Sequence, residues 1–448
     1  MFKKLFIANR GEIAVRIIRA CRDLHIQSVV GYSEADRDSL AVQLADESIC
    51  IGPGPSGKSY LNIPNIITAA LLTGCEAVHP GYGFLSEHPY LPEICEHCGI
   101  AFVGPPAESL REMGDKARAR QRMADLGIST VPGTDRALRN VAEAREVAKS
   151  IGYPVILKAA MGGGGRGMRV ARNDADLVRF YPLAEAEAET AFARADLYLE
   201  KFIERPRHVE VQILADRYGL VLDLGTRDCS TQRRYQKVIE EAPAPALPET
   251  TLRAMAADAV RGAAAIGYVN AGTIEFLVDA EARYYFIEMN TRLQVEHPVT
   301  EEISGIDLVR QQIRIAAGEA IERPEREPYG HAVEARVTAE DPDRDFRPGI
   351  GTVTRYQPPG GPGIRVDSHL FAGYNVPPYY DSLLAKVIAR GRTRDEALDR
   401  LDRALSETTI EGVVTTIPFL RRVVNSRAFR DQQLHIDSVR AVLAEVAN

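Results

Sequence analysis

The decisive stretch of this 448-residue chain reads Glu288–Met289–Asn290–Thr291–Arg292–Leu293–Gln294–Val295–Glu296. Polar residues fall on one parity of it: Glu288, Asn290, Arg292, Gln294 and Glu296. Because successive side chains of an extended chain point to opposite faces, one face of the segment would carry all of them. A solvated strand face could show the same alternation. The chemical variety favours a site instead, with oxygen ligands at one end, an anion-binding fork in the middle and a possible base at the far end.

A second predicted strand supplies a partner for the first of these acids. Glu275 is the lone acid of Thr273–Val278, an otherwise mostly apolar run. A hairpin through Asp279–Arg283 would place Glu275 beside Glu288. Two buried carboxylates side by side are unfavourable unless a cation lies between them, and Mg²⁺ takes oxygen ligands together with substrate phosphates. The residues therefore predict a magnesium–nucleotide site, with the metal held by Glu275, Glu288 and Asn290.

Composition limits the class of protein. A chain of 448 residues predicts two or three domains. The net charge of −7 argues against a nucleic-acid binder. No apolar run is long enough for a membrane helix or a signal peptide, so the expected location is the cytoplasm. Cys95 and Cys98 have the spacing of half a zinc site, but the second half is missing and a helix there would bury both as small apolar residues.

The order of patterns predicts an α/β and α+β multidomain protein. Strands and helices alternate over the first hundred residues, which predicts a parallel sheet covered on both faces. A second region starts near Asp115 and contains strands, a glycine-rich loop and the hairpin of Glu275. A third follows the link Arg326–Tyr329, with strands such as Gly351–Tyr356 and then two helices.

Two segments resemble phosphate-binding loops, and the sequence favours only one of them. Gly52–Ser59 has P-loop spacing, but Pro53 and Pro55 remove backbone donors. Pro64 is expected to leave little helix after the loop, so we interpret the segment as a surface loop.

Gly162–Gly167 lies between two predicted strands, where glycines let backbone amides approach an anion. Lys158, at the end of the strand before it, could add a positive charge on a phosphate. A mobile hairpin without a ligand is the plainer alternative, and phosphate covering is favoured over it.

At this point the chain resembles biotin carboxylase, an ATP-grasp enzyme, over nearly its full length. The resemblance is carried by long motifs in the same order: His79–Glu87, the glycine-rich loop, Arg227–Lys237, Glu240–Pro245 and Glu288–Pro298. It implies a pre-ATP-grasp α/β domain at 1–114, an ATP-grasp domain at 115–325 with a lid at about 131–203, and a C-terminal mixed domain at 326–448. The implied reaction carboxylates biotin with ATP and bicarbonate through carboxyphosphate, the first half-reaction of acetyl-CoA carboxylase in fatty acid synthesis.

The resemblance also assigns residues by position. Nucleotide contacts are implied for Lys116, Lys158, Gly164, Gly165, Glu200, Lys201, Phe202, Ile203, His208, Gln232 and Tyr235. The resemblance implies that Mg²⁺ or Mn²⁺ is bound by Glu275, Glu288 and Asn290. The bicarbonate pocket is implied for Lys237, Arg292, Gln294, Val295 and Glu296. Glu296 is implied as the base, Arg336 as the group that stabilises the biotin enolate, and Tyr82 as a neighbour of biotin.

The implied partners follow from the same resemblance. Biotin would arrive on a biotin carboxyl carrier protein, because the carrier's own biotinylation signature is absent from this sequence. A free-standing protein that works with carboxyltransferase subunits, and that forms a homodimer, is therefore expected. Tyr235 stands where the family usually has histidine, and Pro362 where some members have an aromatic residue at the dimer contact. Three alternatives stay open: the component of another acyl-CoA carboxylase, a carboxylate–amine ligase of the ATP-grasp class, and a non-catalytic member.

Overall fold

The computed structural model describes residues 1–134, 136–159, 168–192, 196–321, 328–439 and 442–443. The predicted glycine-rich loop, with Gly164 and Gly165, lies outside these residues. The sequence also predicts a helix over Asp174–Ala195, and the end of that range lies outside them as well. No helix in the described part of the chain is long and apolar enough to cross a membrane.

The first region alternates strands with helices. Its elements are β1 (Lys4–Ile7), α1 (Gly11–Asp23), β2 (Gln27–Ser33), α2 (Leu40–Leu44), β3 (Glu47–Gly52), α3 (Ile63–Leu72), β4 (Ala77–His79), α4 (Tyr90–His97), β5 (Ala101–Phe102) and α5 (Ala107–Gly114). The sheet is parallel throughout, in the order β3-β2-β1-β4-β5. Leu5, Phe6 and Ile7 of the central β1 are fully buried. Burial of consecutive residues is typical of a parallel strand covered on both faces, so this prediction is confirmed.

Two details of this region differ from the sequence predictions. A ten-residue helix, α3, does follow the P-loop-like segment, with Pro64 in its first turn and the Asn62 side chain accepting from the Asn65 amide. Proline is tolerated at that position because the amide it lacks would have no helical partner. Cys95 is fully buried in α4, but Cys98 is exposed at its C-terminal end, so the expectation of two buried cysteines was wrong for Cys98.

The second region contains a small sheet and most of a large one. Its elements are α6 (Lys116–Asp125), α7 (Val141–Ile151), β6 (Val155–Ala159), β7 (Arg169–Ala171), α8 (Asp174–Phe192), β8 (Leu197–Lys201), β9 (Arg207–Ala215), β10 (Val221–Arg233), β11 (Gln236–Ala242), α9 (Glu249–Ala265), β12 (Asn270–Val278), β13 (Tyr284–Asn290), α10 (His297–Ser304) and α11 (Leu308–Ala316). β7, β6 and β8 form an antiparallel three-stranded sheet.

The third region completes the large sheet. Its elements are β14 (His331–Thr338), β15 (Glu340–Asp341), β16 (Arg347–Pro348), β17 (Gly351–Thr352), β18 (Arg355–Gln357), β19 (Ile364–Ser368), β20 (Asn375–Val376), β21 (Leu383–Gly391), α12 (Arg394–Glu407), β22 (Thr409–Glu411), α13 (Ile417–Asn425) and α14 (Arg427–Arg430). The single strand predicted over Gly351–Tyr356 is wrong, since β17 and β18 pair in different sheets.

The large sheet has eight strands in the order β13-β12-β9-β10-β11-β14-β21-β19. It runs without a break from the second region into the third, because β11 pairs with β14. The two faces of β9 differ in character. Val209, Val211 and Ile213 lie on one face and pack into the core with α9. Glu210 and Gln212 lie on the other face and are buried polar residues. The polar face is therefore held in register by an apolar face behind it.

Candidate functional site

Three carboxylates line up across the edge of the large sheet. Glu275 of β12 lies directly opposite Glu288 of β13 on one side and Glu210 of β9 on the other. Directly opposed residues of antiparallel strands share a face, with their Cβ atoms about 5 Å apart. The predicted hairpin of Glu275 and Glu288 is thus confirmed, and it belongs to a longer acidic row.

Lys237 of β11 pairs with two carboxylates of this row, Glu210 and Glu275, and with Glu296. Its ammonium nitrogen lies 2.7 Å from Glu210 Oε2, 3.0 Å from Glu275 Oε1 and 2.6 Å from Glu296 Oε1. Burial opposes its charge, but these carboxylates raise the Lys237 pKa well above its usual value. The same contacts overcome burial at Glu275 and Glu296 and lower the pKa of both carboxyls. Lys237, Glu275 and Glu296 therefore carry charge at neutral pH.

The outer end of the row has the donor set of a magnesium site. Glu275 Oε1 accepts from Asn290 Nδ2 at 2.8 Å, and Glu288 Oε2 lies 2.5 Å from the Lys116 ammonium. The Lys116 side chain is 65% exposed, so a cation from solvent can take its place beside Glu288. Hard oxygen atoms from two carboxylates and one amide fit Mg²⁺, which keeps its remaining positions for water and phosphate.

A histidine borders the same carboxylates. His208 Nε2 lies 3.0 Å from Glu275 Oε2, and its Nδ1 lies 2.9 Å from Gln232 Nε2. Burial disfavours its protonation, but Glu275 outweighs burial and raises the His208 pKa above the ordinary value. His208 and Gln232, both implied as nucleotide contacts, therefore lie together beside Glu275.

The inner end of the site is built around Glu296, whose side chain is almost fully buried. Glu296 Oε2 accepts from Arg336 at 2.8 Å, and the same guanidinium lies 2.5 Å from Glu240 Oε1. Burial raises the pKa of Glu240 to about 7 against the opposing effect of Arg336. Glu296 is thus an ionised carboxylate held by Arg336 on one oxygen and Lys237 on the other, and both cations keep it deprotonated.

The path of the chain between the two ends differs from the prediction. β13 ends at Asn290 and α10 starts at His297, so residues 291–296 form a loop and not a continued strand. Long-range contacts hold it: Arg292 Nε donates to Glu87 at 2.9 Å, and Gln294 accepts from Arg227 at 2.7 Å. The polar members of the stretch still converge, because these partners orient each side chain separately.

The predicted adenine segment begins at the end of β8 in the small sheet and continues into the residues that follow it. Glu200 pairs with Lys158 at 2.5 Å and also with Arg120. The Lys201 amide donates to the Pro132 carbonyl at 2.7 Å, and the Phe202 amide to that of Pro154 at 3.0 Å. Ile203 follows directly after these two. Lys158 and Glu200–Ile203 therefore form one group, and Glu200 shares the electrostatic surroundings of Lys116 with Glu275 and Glu288.

Two further predicted residues lie at the borders of the site. The Tyr82 hydroxyl donates to Glu12 Oε1 in a short hydrogen bond. Tyr235 is 56% exposed at the tip of the β10–β11 hairpin, where it and Arg234 have φ values of 64° and 49°.

Sequence reasoning missed two residues that organise the site. Arg227 is fully buried on β10 and contacts Glu210 at 2.6 Å and Gln294 at 2.7 Å. Glu210 completes the acidic row. A signal for Glu210 was present, since it shares its strand parity with His208 and Gln212 within an apolar run; the partners of Arg227 are all distant in sequence and left none.

Family models match the chain almost end to end. They are described as "Biotin carboxylase, N-terminal domain" for residues 1–110, "Carbamoyl-phosphate synthase L chain, ATP binding domain" for residues 115–323 and "Biotin carboxylase C-terminal domain" for residues 334–441. Among full-length relatives, Biotin carboxylase 1 of Bacillus subtilis is 53% identical over 96% of both chains.

Solved structures are similar to the same extent. The biotin carboxylase domain dimer of 2-oxoglutarate carboxylase from Hydrogenobacter thermophilus, in complex with MgADP, ADP and bicarbonate, has a TM-score of 0.92 at 49% identity and covers 99% of both chains. The biotin carboxylase component of a pyruvate carboxylase has a TM-score of 0.87 at 47% identity, again over 99% of both chains.

Proposed function

Because the chain belongs to the biotin carboxylase family, we propose that the pocket around Lys237 holds bicarbonate beside the terminal phosphate of ATP. The chain is an ATP-dependent ligase that carboxylates biotin. The observation that carries the residue assignments is the position of Glu296: an almost fully buried, ionised carboxylate joined through Lys237 to the acidic row.

ATP binds between the small sheet and the acidic row in this proposal. Glu200–Ile203 hold the adenine, His208, Gln232 and Tyr235 lie near the ribose, and Lys116 and Lys158 contact phosphates. Gly164 and Gly165 are proposed for the phosphates as well, although they lie outside the described residues. Glu275, Glu288 and Asn290 hold Mg²⁺ or Mn²⁺, which neutralises phosphate charge as the phosphoryl group transfers.

Bicarbonate is positioned and deprotonated by the inner residues. Lys237, Arg292, Gln294 and the Val295 backbone surround it, and a guanidinium fork matches its planar oxygens. Glu296 takes the bicarbonate proton, and the anion attacks the γ-phosphorus of ATP, which gives carboxyphosphate and ADP. Exclusion of water protects this reactive product.

Biotin enters on the side of Arg336 and Tyr82. Carboxyphosphate breaks down to CO₂ and phosphate, and the phosphate removes the N1′ proton of biotin. Arg336 donates to the ureido oxygen, where the enolate charge develops. N1′ then attacks CO₂ to give N-carboxybiotin. Release of Arg336 from Glu296 or Glu240 frees its donors for this step.

The partners are part of the proposal. A biotin carboxyl carrier protein brings the biotin, carboxyltransferase subunits receive the carboxyl group, and the setting is the cytoplasm. A homodimer is supported by the dimer named for the Hydrogenobacter relative, although the exposed Pro362 changes one predicted contact. Acetyl-CoA carboxylase is the proposed assembly. A pyruvate or 2-oxoglutarate carboxylase is the second candidate, because solved relatives so named are 47% and 49% identical.

The test measures ADP release by the purified chain with MgATP, bicarbonate and free biotin. The rate should require bicarbonate and rise with biotin. ATP turnover indifferent to both would overturn the assignment of the pocket. Transfer of ¹⁴C from bicarbonate to biotinylated carriers of the candidate carboxylases then separates the assemblies, since only the true carrier should be labelled at low concentration.

A further inference from the structure

A fully buried cation next to the pocket has no part in the chemistry proposed above. Lys386 lies in β21, directly opposite Arg336 of β14. Its ammonium donates to the Val295 carbonyl at 2.9 Å and lies 3.0 Å from Glu12 Oε1. Three distant parts of the chain therefore meet at one nitrogen atom: β21, the start of α1, and the loop 291–296.

The electrostatics keep this nitrogen charged. Burial opposes the charge, but Glu12, Glu334 and Asp367 surround Lys386 and raise its pKa. A charge in a dry interior holds its hydrogen-bond partners tightly, because water cannot replace them.

The Val295 contact acts on residues 291–296, which we call the bicarbonate loop because four of them are proposed to surround bicarbonate. In a trans peptide the carbonyl of one residue and the amide of the next point in opposite directions. An anchored Val295 carbonyl therefore fixes the direction of the Glu296 amide and the point from which the Glu296 side chain departs. Residues 291–296 have no strand ladder to hold them, and this contact acts directly on the Val295–Glu296 peptide plane, while the other described contacts of the loop hold its side chains and the residues that flank this peptide.

The Glu12 contact acts on the other substrate. Glu12 Oε1, which faces Lys386, also accepts the hydrogen bond of the Tyr82 hydroxyl. Glu12 is buried and lies in the first turn of α1. Tyr82 is thus connected to Lys386 through one carboxylate oxygen.

We propose that Lys386 is a positioning residue for both substrates, holding the bicarbonate loop through the Val295 carbonyl and Tyr82 through Glu12. The proposal rests on the function proposed above and deepens it. A lysine that only joined the domains would affect stability and leave the two Michaelis constants alone.

The experiment measures KM for bicarbonate, free biotin and MgATP separately. Lys386→Met keeps the length of the side chain and removes both contacts. It should raise KM for bicarbonate and for biotin about tenfold or more, the scale of a lost hydrogen bond to a charged group, and leave KM for MgATP within about twofold. Glu12→Gln should raise KM for biotin alone, because the Val295 contact remains.

Arg394→Met is the matched control. Arg394 is also a buried cation, bound to Glu241 and to the Phe429 carbonyl, and the described contacts connect it to no pocket residue. It should lower the thermal midpoint and leave all three constants unchanged.

Two results would overturn the proposal: a folded Lys386→Met with KM for bicarbonate within twofold of the parent, or Glu12→Gln raising both constants equally. If Lys386→Met does not fold, Glu12→Gln alone decides. A parent enzyme that ignores bicarbonate and biotin is a separate result, which refutes the proposed function and with it the role of Lys386.

Discussion

Replacement of Glu296 by glutamine tests the centre of the site, because it removes the proposed base and changes little else. Lys237 keeps Glu210 at 2.7 Å and Glu275 at 3.0 Å, and Arg336 keeps Glu240 at 2.5 Å. Neither cation is left unpaired, and the amide keeps one acceptor. We expect the free energy of unfolding to fall by about 1.5–3 kcal/mol, the range for hydrogen bonds to charged groups.

The catalytic loss should be larger than the loss of stability. Removal of a positioned general base costs about 10²- to 10⁴-fold in rate. At about 1.4 kcal/mol per tenfold, this raises the barrier by roughly 3–5 kcal/mol. The affinity for MgATP should stay within about twofold, because the lysines and the proposed metal ligands are untouched.

The assay combines three measurements on Glu296→Gln: bicarbonate-dependent ADP release, MgATP binding by calorimetry and urea unfolding. Glu241→Gln is the control, since Glu241 is likewise buried between two basic side chains, Arg394 at 2.7 Å and His331 at 2.8 Å. The control should lose stability and keep its rate. The reasoning fails if Glu296→Gln keeps more than a tenth of the parent rate, or if it loses MgATP binding.

Three further predictions follow the same contacts. Glu288→Gln should raise the Mg²⁺ concentration needed for half-maximal ADP release several-fold, as one of the carboxylates is lost; an unchanged requirement contradicts the metal assignment. Tyr235→His should raise MgATP affinity roughly two- to tenfold, the worth of one hydrogen bond, in a direct binding titration; unchanged or weaker affinity counts against it. The Glu301 pKa is depressed because Arg16 and Arg365 outweigh burial, so the pairing stabilises the fold above the unfolded pKa of about 4.3. The parent's stability advantage over Glu301→Gln in urea should therefore shrink as pH falls from about 5; an advantage constant down to pH 3 would contradict it.

The first region was predictable from sequence because its signals are local. Each strand and helix there carries its own apolar pattern, and the connections are short, so the parallel sheet follows from consecutive segments. The prediction that failed here applied a local rule too strictly. Pro64 was expected to leave little helix after the loop, yet it occupies the first turn of α3.

The large sheet was less predictable. β10 runs from Val221 to Arg233 through register shifts in its pairing with both β9 and β11. Arg227 and Gln232 are polar residues in a buried strand, and the sequence pattern of β10 does not predict that they belong to a strand. Their burial is possible because β9, β11 and the loop 291–296 supply partners, none of which is visible from β10 alone.

The pairing of Glu275 with Glu288 could be derived from the residues alone. A tight turn between two strands leaves few possible registers, and a slip by one residue would expose the apolar face. How Arg292, Gln294 and Glu296 reach the same site depends on the folded molecule, because the strand ends at Asn290. From there Glu87, Arg227, Lys237, Arg336 and Lys386 direct the chain, and each comes from a different part of the fold. Contacts between residues so far apart depend on the packing of the whole molecule, which no local pattern encodes.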